Sequence, residues 1–318
     1  MIATPFPTAA EPADFVHPAL FYRDLEEYTA GVGAFVREAL AAQEPVFLAV
    51  PGPHLDALRQ SLGSDADGID CVDMRELGRN PGRILAALQG FADRNPGRAP
   101  RIVGEPIWPG RTEGEILEAT RHEALINTAF AGRPATILCP YDLSGLSSQV
   151  VADARRTHPT VIEDGRDTAS PFYTDAETVC SDCDLPFPEP SQDSLLLEYA
   201  GGGLAQVREH AENWVRGAAL DPARRGDFVL AVSEAAANSL AHGGGKGTLR
   251  LWSTATGGVV AEIRDSGRLS NALAGRRRPS LTSGNGGRGL WMIHQLCDLV
   301  EVRALESGLT LRLHVSGV

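Results

Sequence analysis

The stretch SEAAANSLAHGGGKG, residues 233–247, sets Glu234, Asn238 and His242 at four-residue intervals and then runs into glycine. On an α-helix each such interval advances the position by about 40°, so the three side chains share one face. That face lies roughly opposite an apolar stripe formed by Val229, Val232, Ala236 and Leu240. A carboxylate on such a ridge can accept a proton, an amide oxygen can ligate a hard cation, and an imidazole can cap the helix end. The same spacing also fits a solvated helix face with a glycine stop.

Two further stretches carry compatible chemistry. In EIRDSG a strand ends on Asp265, whose carboxylate can accept from an exocyclic amine, and Gly267 leaves room for a flat ring. An Asp-Ser-Gly turn is the plain alternative. In GNGGRGLWMIHQLCDL a glycine-rich loop containing Gly286, Gly287, Arg288 and Gly289 feeds a helix through Leu290. Free N–H groups at a helix start, beside a guanidinium fork, suit a phosphate, and a surface loop before a core helix is the alternative. GNGGRG also fits the letters GxGxxG, but AGRRRPSLTS precedes it where a dinucleotide fold needs a strand. No GxxxxGK[ST] occurs.

The elements that must position these residues change character along the chain. Before about residue 164, EPVFLAV, IDCVDM, RIVGEPIW, ATILCPYD and TVIED read as buried strands. They alternate with helical stretches, which implies a largely parallel sheet covered on both faces. Residues 165–196 are rich in Asp, Ser and Pro without periodicity and read as a linker. They hold Cys180 and Cys183 in a lone CxxC, a weak metal or redox signal outside a βα unit. From residue 197 on, long helices mix with TLRLWST, VVAEIRD, VEVRAL and TLRLHVS, an α+β pattern with helices on one face.

Composition narrows the function. The chain has 318 residues and 43% hydrophobic content, enough for two cores. Its net charge is −12, and the acidic excess lies before Leu197, which argues against direct nucleic-acid binding. No apolar run approaches the roughly 18 residues that would span a membrane, and the N-terminus lacks signal-peptide features. Five scattered cysteines fit a reducing compartment, so a cytoplasmic location is expected. RHEALINT, with His122 and Glu123, resembles a phosphoacceptor box, but it lacks the following Pro and lies in the front half.

Taken in order, the three C-terminal motifs resemble the ATP-binding (GHKL) fold shared by gyrase, a class of heat-shock chaperones, histidine kinases and MutL. They resemble the anti-sigma-factor serine kinases of bacteria more closely, over about residues 200–318, in VLAVSEAAANSLAHGGG, RDSG and GGRGLWMIHQLCDLV. The resemblance implies ATP and Mg²⁺ as cofactors. It makes Glu234 the base toward an incoming serine hydroxyl and Asn238 the Mg²⁺ ligand. Asp265 with Gly267 would read adenine, and His242, Gly286, Gly287, Arg288, Gly289 and Leu290 would complete the nucleotide site. Many family members continue D-x-G-x-G, whereas here Arg268 and Leu269 follow Gly267. That departure, with the basic GRRRP at 275–279, puts lid geometry and phosphotransfer in question.

Residues 16 to about 163 resemble a MEDS sensory domain in HPALFY, GEPIW, LCPYD and THP. This implies a RecA-like sheet that has lost its phosphate loop and binds a small molecule. His17, Tyr22, Glu105, Cys139, Tyr141, Asp142 and His158 would gather near the strand ends. Their alternative role is as satisfied core and turn residues. Cys139 with a nearby His is also a candidate for metal ligation or oxidation.

The expected fold is α/β plus α+β. A three-layer, mostly parallel RecA-like domain spans 1–164, a linker spans 165–196, and a Bergerat-type ATP-binding α/β sandwich spans 197–318. The expected function is signal-responsive control of an alternative sigma factor, in which the chain phosphorylates a STAS-type anti-sigma antagonist or sequesters the sigma factor. A non-catalytic, ATP-dependent binding switch is the alternative. A homodimer is left open.

Overall fold

Strands that are apolar along their whole length need cover on both faces, and the front half supplies helices between them. The computed structural model describes residues 15–190, 194–279 and 288–317. It divides into two compact units, Met1–Cys180 and Ser181–Val318. In the first, β1 (Phe15–Val16) and β2 (Pro18–Tyr22) lead into α1 (Leu25–Ala41), β3 (Val46–Val50), α2 (Gly52–Leu62), β4 (Asp70–Asp73) and α3 (Met74–Leu77). There follow α4 (Ile84–Arg94), β5 (Arg101–Gly104), α5 (Glu113–Ala129), β6 (Ala135–Asp142), α6 (Ser148–Thr157), β7 (Thr160–Glu163) and β8 (Arg166–Ala169). The unit boundary falls within α7 (Ala176–Asp182).

The first sheet runs β4-β3-β5-β6-β2-β7-β8, with β1 beside β6. Its pairings are parallel except for β7 with β8. Alternate strand residues serve opposite layers. Leu20, Leu48, Val103, Leu138 and Ile162 pack with α1 and α2. On the other face Phe47 stacks on Phe91 of α4 at 5.1 Å, and the Cys139 side reaches α5. Asp24 caps α1 by accepting from the Glu27 N–H, and Thr112 with Glu115 forms a capping box on α5.

In the second unit β9 (Leu195–Ala200) precedes α8 (Leu204–Val215), α9 (Pro222–His242), β10 (Lys246–Ser253) and β11 (Val259–Asp265). Then come α10 (Arg288–Leu296), β12 (Leu299–Leu305) and β13 (Gly308–Val315). The strands form one antiparallel sheet in the order β12-β13-β11-β10-β9. Val207, Phe228, Val232, Ala236 and Ile293 from the helices bury against Leu249, Leu251, Ala261, Ile263 and Leu313. Among the described residues, no helix is long and apolar enough to cross a membrane.

Several elements differ from the sequence reading. β2, α6 and β9 were not anticipated. PALFY is too short and too evenly apolar to show a period, and its five residues are all buried. RIVGEPIW stops as a strand at Gly104, before Pro106, which has no N–H to give to a ladder.

The stretch 165–196, expected as a linker, instead carries β8, α7 and the start of β9. Between them the chain crosses the charged outer face of the second sheet. Arg303 Nε donates to the Leu185 carbonyl, Arg312 donates to the Pro188 carbonyl, and Asp184 accepts from the Ala304 N–H. Phe187 sits under the guanidinium groups of Arg303 and Arg312, at 4.3 and 4.1 Å from the ring centre. Backbone carbonyls make most of these contacts, so no side-chain pattern announces them. Cation–π contacts contribute about 0.5–2 kcal/mol each, so Phe187→Ala should lower the stability of this unit by about 1–3 kcal/mol. Urea denaturation followed by tryptophan fluorescence measures the shift, and an unchanged midpoint would mean that Phe187 adds nothing there.

Candidate functional site

Asp221 caps α9 by accepting from the Arg224 N–H, Pro222 stands in its first turn, and Gly243 is its C-cap. Val229, Val232 and Ala236 are buried, while Glu234 and Asn238 are half-buried on another face and His242 is exposed. The expected ridge is present, but it is covered in part. α10 starts directly over it. A Cβ placed on Gly289 would lie 3.1 Å from Glu234 Oε2 and 3.2–3.3 Å from the Asn238 amide. Contacts that short would press on both side chains, so glycine lets the two helices approach closely without displacing them.

The end of β11 is fixed to the end of α9. Asp265 accepts from the Ser239 hydroxyl and, at 2.7 Å, from the Gly267 N–H. The Ser266 N–H donates to the Gly243 carbonyl at 3.2 Å. A Cβ on Gly243 would collide with Asp265 Cγ, so the carboxylate rests against bare backbone. Each carboxylate oxygen keeps a lone pair for another donor.

Asn238, His242, Asp265, Gly267, Gly289 and Leu290 all line one cavity of about 220 Å³. Glu234 stands at its edge beside Gly289. Asn238 Nδ2 is buried without a hydrogen-bond partner. Arg288 is the exposed first residue of α10. Gly286 and Gly287 lie outside the described residues.

Sequence reasoning missed Ser239, Gly243, Asn271 and Ala274 at this site. Ser239 sits beside Asn238 on the helix, where a Ser carries no signal of its own. Leu269, which takes the place of the second glycine of the family pattern, forms one wall and packs on the core. A wider depression of about 740 Å³ over β9 and β10, with Lys246, Arg250 and Arg264, also reaches Asp265. It includes none of Glu234, Asn238 or Gly289.

In the first unit the seven sensory candidates do not gather in one place. Tyr22 donates to Glu105 Oε1 at 3.0 Å, and His54 Nδ1 lies 2.8 Å from Glu105 Oε2. Tyr22 ends β2, Glu105 follows β5 and Asp142 ends β6, so this group stands at the carboxyl ends of the strands. Burial pushes the Glu105 carboxyl above its usual range, against the pull of His54 and Tyr22.

The second group is His17, Cys139, Tyr141 and His158, joined by Glu123 and Asn127 of α5, which the sequence reading did not select. The His17 and His158 rings are 4.1 Å apart, and Tyr141 meets His158 edge-on at 5.6 Å. Burial, and then the neighbouring His158, lower His17 to about 4. Burial pushes the Glu123 carboxyl up, but His158 and His17 hold it well below the usual carboxylate range. Strand-end alignment predicted one cluster. The division arises because His17 and His158 precede β2 and β7, at the opposite ends of those strands from Tyr22. His122, neighbour to Glu123, is buried.

Residues 16–159 match the family model of MEDS, the MEthanogen/methylotroph, DcmR Sensory domain. Residues 201–315 match that of the histidine kinase-like ATPase domain. Among solved structures the chain is similar to one described as an "ATPase Domain", at 9% identity over 48% of this chain and 69% of that one, with a TM-score of 0.32. No curated protein matches it. One family match falls in each structural unit, and the pairing of sensor with ATPase suggests an ATP-binding regulatory function. The chain thus carries an N-terminal MEDS domain and a C-terminal histidine kinase-like ATPase domain.

Proposed function

We propose that the C-terminal domain binds Mg-ATP, in the manner of a Bergerat-type fold, in the hollow between α9, the end of β11 and the start of α10. We propose further that the chain is an anti-sigma-factor regulatory protein whose MEDS domain, RecA-like in this reading, responds to a small molecule. The observation that carries the nucleotide reading is the seat of Gly289 against Glu234 and Asn238, with the buried Asn238 amide left without a partner. Asp265, held by Ser239 and Gly267, is the group that would accept from the adenine amine. The start of α10 and Arg288 would face the phosphates. Asn238 offers the neutral oxygen that would hold Mg²⁺.

Bound Mg-ATP supplies a phosphoryl group for transfer. Glu234 stands on the same ridge as Asn238 and would take the proton of a Ser or Thr hydroxyl on a STAS-type antagonist. A second reading, in which ATP only stabilises a shape that binds a sigma factor or its antagonist, is favoured by Leu269. That side chain packs on the core and walls the cavity, so it anchors the turn after Asp265.

Calorimetric titration of the whole chain with Mg-ATP tests the binding. Asp265→Asn should weaken it by about 10- to 100-fold, the share of a charge-assisted hydrogen bond. Equal affinity in both proteins would remove Asp265 from the site. Glu234→Gln separates the two readings. It should keep ATP affinity and cut transfer from labelled ATP to an antagonist by about 10²- to 10⁴-fold if Glu234 is the base. ATP binding with no transfer by the wild type, alongside ATP-dependent capture of a partner, favours the switch.

A further inference from the structure

The His17, Glu123, Cys139 and His158 cluster has no part in the nucleotide reading, and its chemistry is specific. All four side chains are at most 1% exposed. One ligand atom from each, the two imidazole nitrogens, a carboxylate oxygen and the sulfur, lies within 4.8 Å of all the others. His17 Nε2 is 3.2 Å from Glu123 Oε2 and 3.4 Å from Cys139 Sγ, and His158 Nε2 is 3.1 Å from the same Glu123 oxygen.

The outer hydrogen bonds fix what these atoms offer. Asn127 Nδ2 donates to the Thr157 carbonyl at 2.8 Å, so its Oδ1, 3.0 Å from His17 Nδ1, must accept. His158 Nδ1 lies 2.8 Å from the Ala154 carbonyl, which can only accept. The Thr157 hydroxyl beside it donates to backbone carbonyls of its own. Both rings therefore carry a proton on Nδ1, and in its neutral form each turns an Nε2 lone pair inward. There they meet a carboxylate and a sulfur. The Glu123 oxygens and His158 Nε2 are buried and make no hydrogen bond of normal geometry. With both rings neutral, four electron-pair donors face one another within 4.8 Å.

We propose that these four residues bind a divalent transition metal of the zinc class through His17 Nε2, Glu123, Cys139 Sγ and His158 Nε2. A tetrahedral ion with bonds of about 2.0–2.3 Å separates its ligand atoms by about 3.3–3.6 Å, close to the 3.1–3.4 Å contacts here. Two imidazoles, a thiolate and a carboxylate form a borderline donor set that suits zinc and not magnesium or calcium. Thiolate and carboxylate together neutralise a 2+ ion, which removes the cost of a buried net charge. Asn127 and the Ala154 carbonyl orient the two imidazoles as outer partners of metal-bound histidines do. Four protein ligands leave no open position, so the ion ties α5 to β6 and to the segments leading into β2 and β7. The Cys139 thiol gives up its proton as the metal binds.

The buried site must load during folding. The test therefore uses the whole chain in two preparations, purified from zinc-supplemented culture, and unfolded with a chelator and then refolded with Zn²⁺ or Co²⁺. Metal analysis should find one ion per chain in either. The Co²⁺ form should show intense visible bands of tetrahedral coordination and an ultraviolet thiolate-to-metal band. Cys139→Ser should lose the thiolate band, and Asn127→Ala should lower zinc affinity about 10- to 100-fold against a chromophoric chelator.

The control is Cys180→Ser with Cys183→Ser, which should leave the spectrum unchanged. Bands that vanish in that control but persist in Cys139→Ser would overturn the proposal. So would a folded wild type holding far less than one ion per chain and showing no cobalt bands. Should the chain fail to refold, the metal content of the as-purified wild type and of Cys139→Ser decides.

Discussion

The end of α9 and the end of β11 meet at a joint made almost entirely of backbone and one carboxylate. Asp265 is held by Ser239 from the helix and by the Gly267 N–H from its own turn, and it rests on the bare Cα of Gly243. Gly308, at φ +135°, brings the start of β13 against the Asp265 carbonyl, where a Cβ would collide with backbone. A buried or half-buried carboxylate is costly unless its lone pairs are met, and here two donors also aim it. The shared core sets how α9 packs on β11, and this joint closes the floor of the hollow at their ends. The glycines are thus required by contact, and for Gly308 by backbone conformation as well.

The second constraint is the covering of the ridge. A helix face with Glu234, Asn238 and His242 reads from sequence as solvated, and in part it is. What sequence could not say is that α10 descends onto Glu234 and Asn238 through Gly289. The half-buried amide then becomes a directional group, because a buried donor without a partner costs about 1–3 kcal/mol until something accepts from it. A ligand that supplies an acceptor there regains that cost on binding. The same logic supports the metal proposed for the cluster in the MEDS domain, where buried acceptors face one another.

Period and spacing made much of this legible. The α9 ridge, its glycine stop, the strand ending on Asp265 and the alternation of the front half all follow from periods of about 3.6 and 2. The parts that were not legible share physical causes. β2 is buried on both sides and has no alternation to detect. The segment around Phe187 binds through its carbonyls, which any sequence possesses. Glu123 and Asn127 carry no sequence signal for this cluster, because polar residues on a helix read as its wet side. Yet α5 buries Glu118, Arg121, His122 and Glu123 alike. The signal available was the density of charge in a helix that a three-layer sheet must cover, and it needed the fold to be interpreted. The seven sensory candidates divide because His17 and His158 precede their strands while Tyr22 and Asp142 end theirs.

Leu269 decides how the nucleotide hollow can work. A glycine there would let the turn after Asp265 move freely and close over a ligand, at the entropic cost of ordering it. Leu269 instead anchors the turn by packing on the same core that holds α9 and the sheet. Its wall is present before anything binds. A preformed wall lowers the cost of association, because less chain must be ordered when the ligand arrives. It also limits how far the turn can follow the ligand, and phosphoryl transfer depends on positioning together with electrostatic stabilisation. On the proposed function, an anchored turn favours binding over turnover, and the packing of Leu269 weights the choice between kinase and switch.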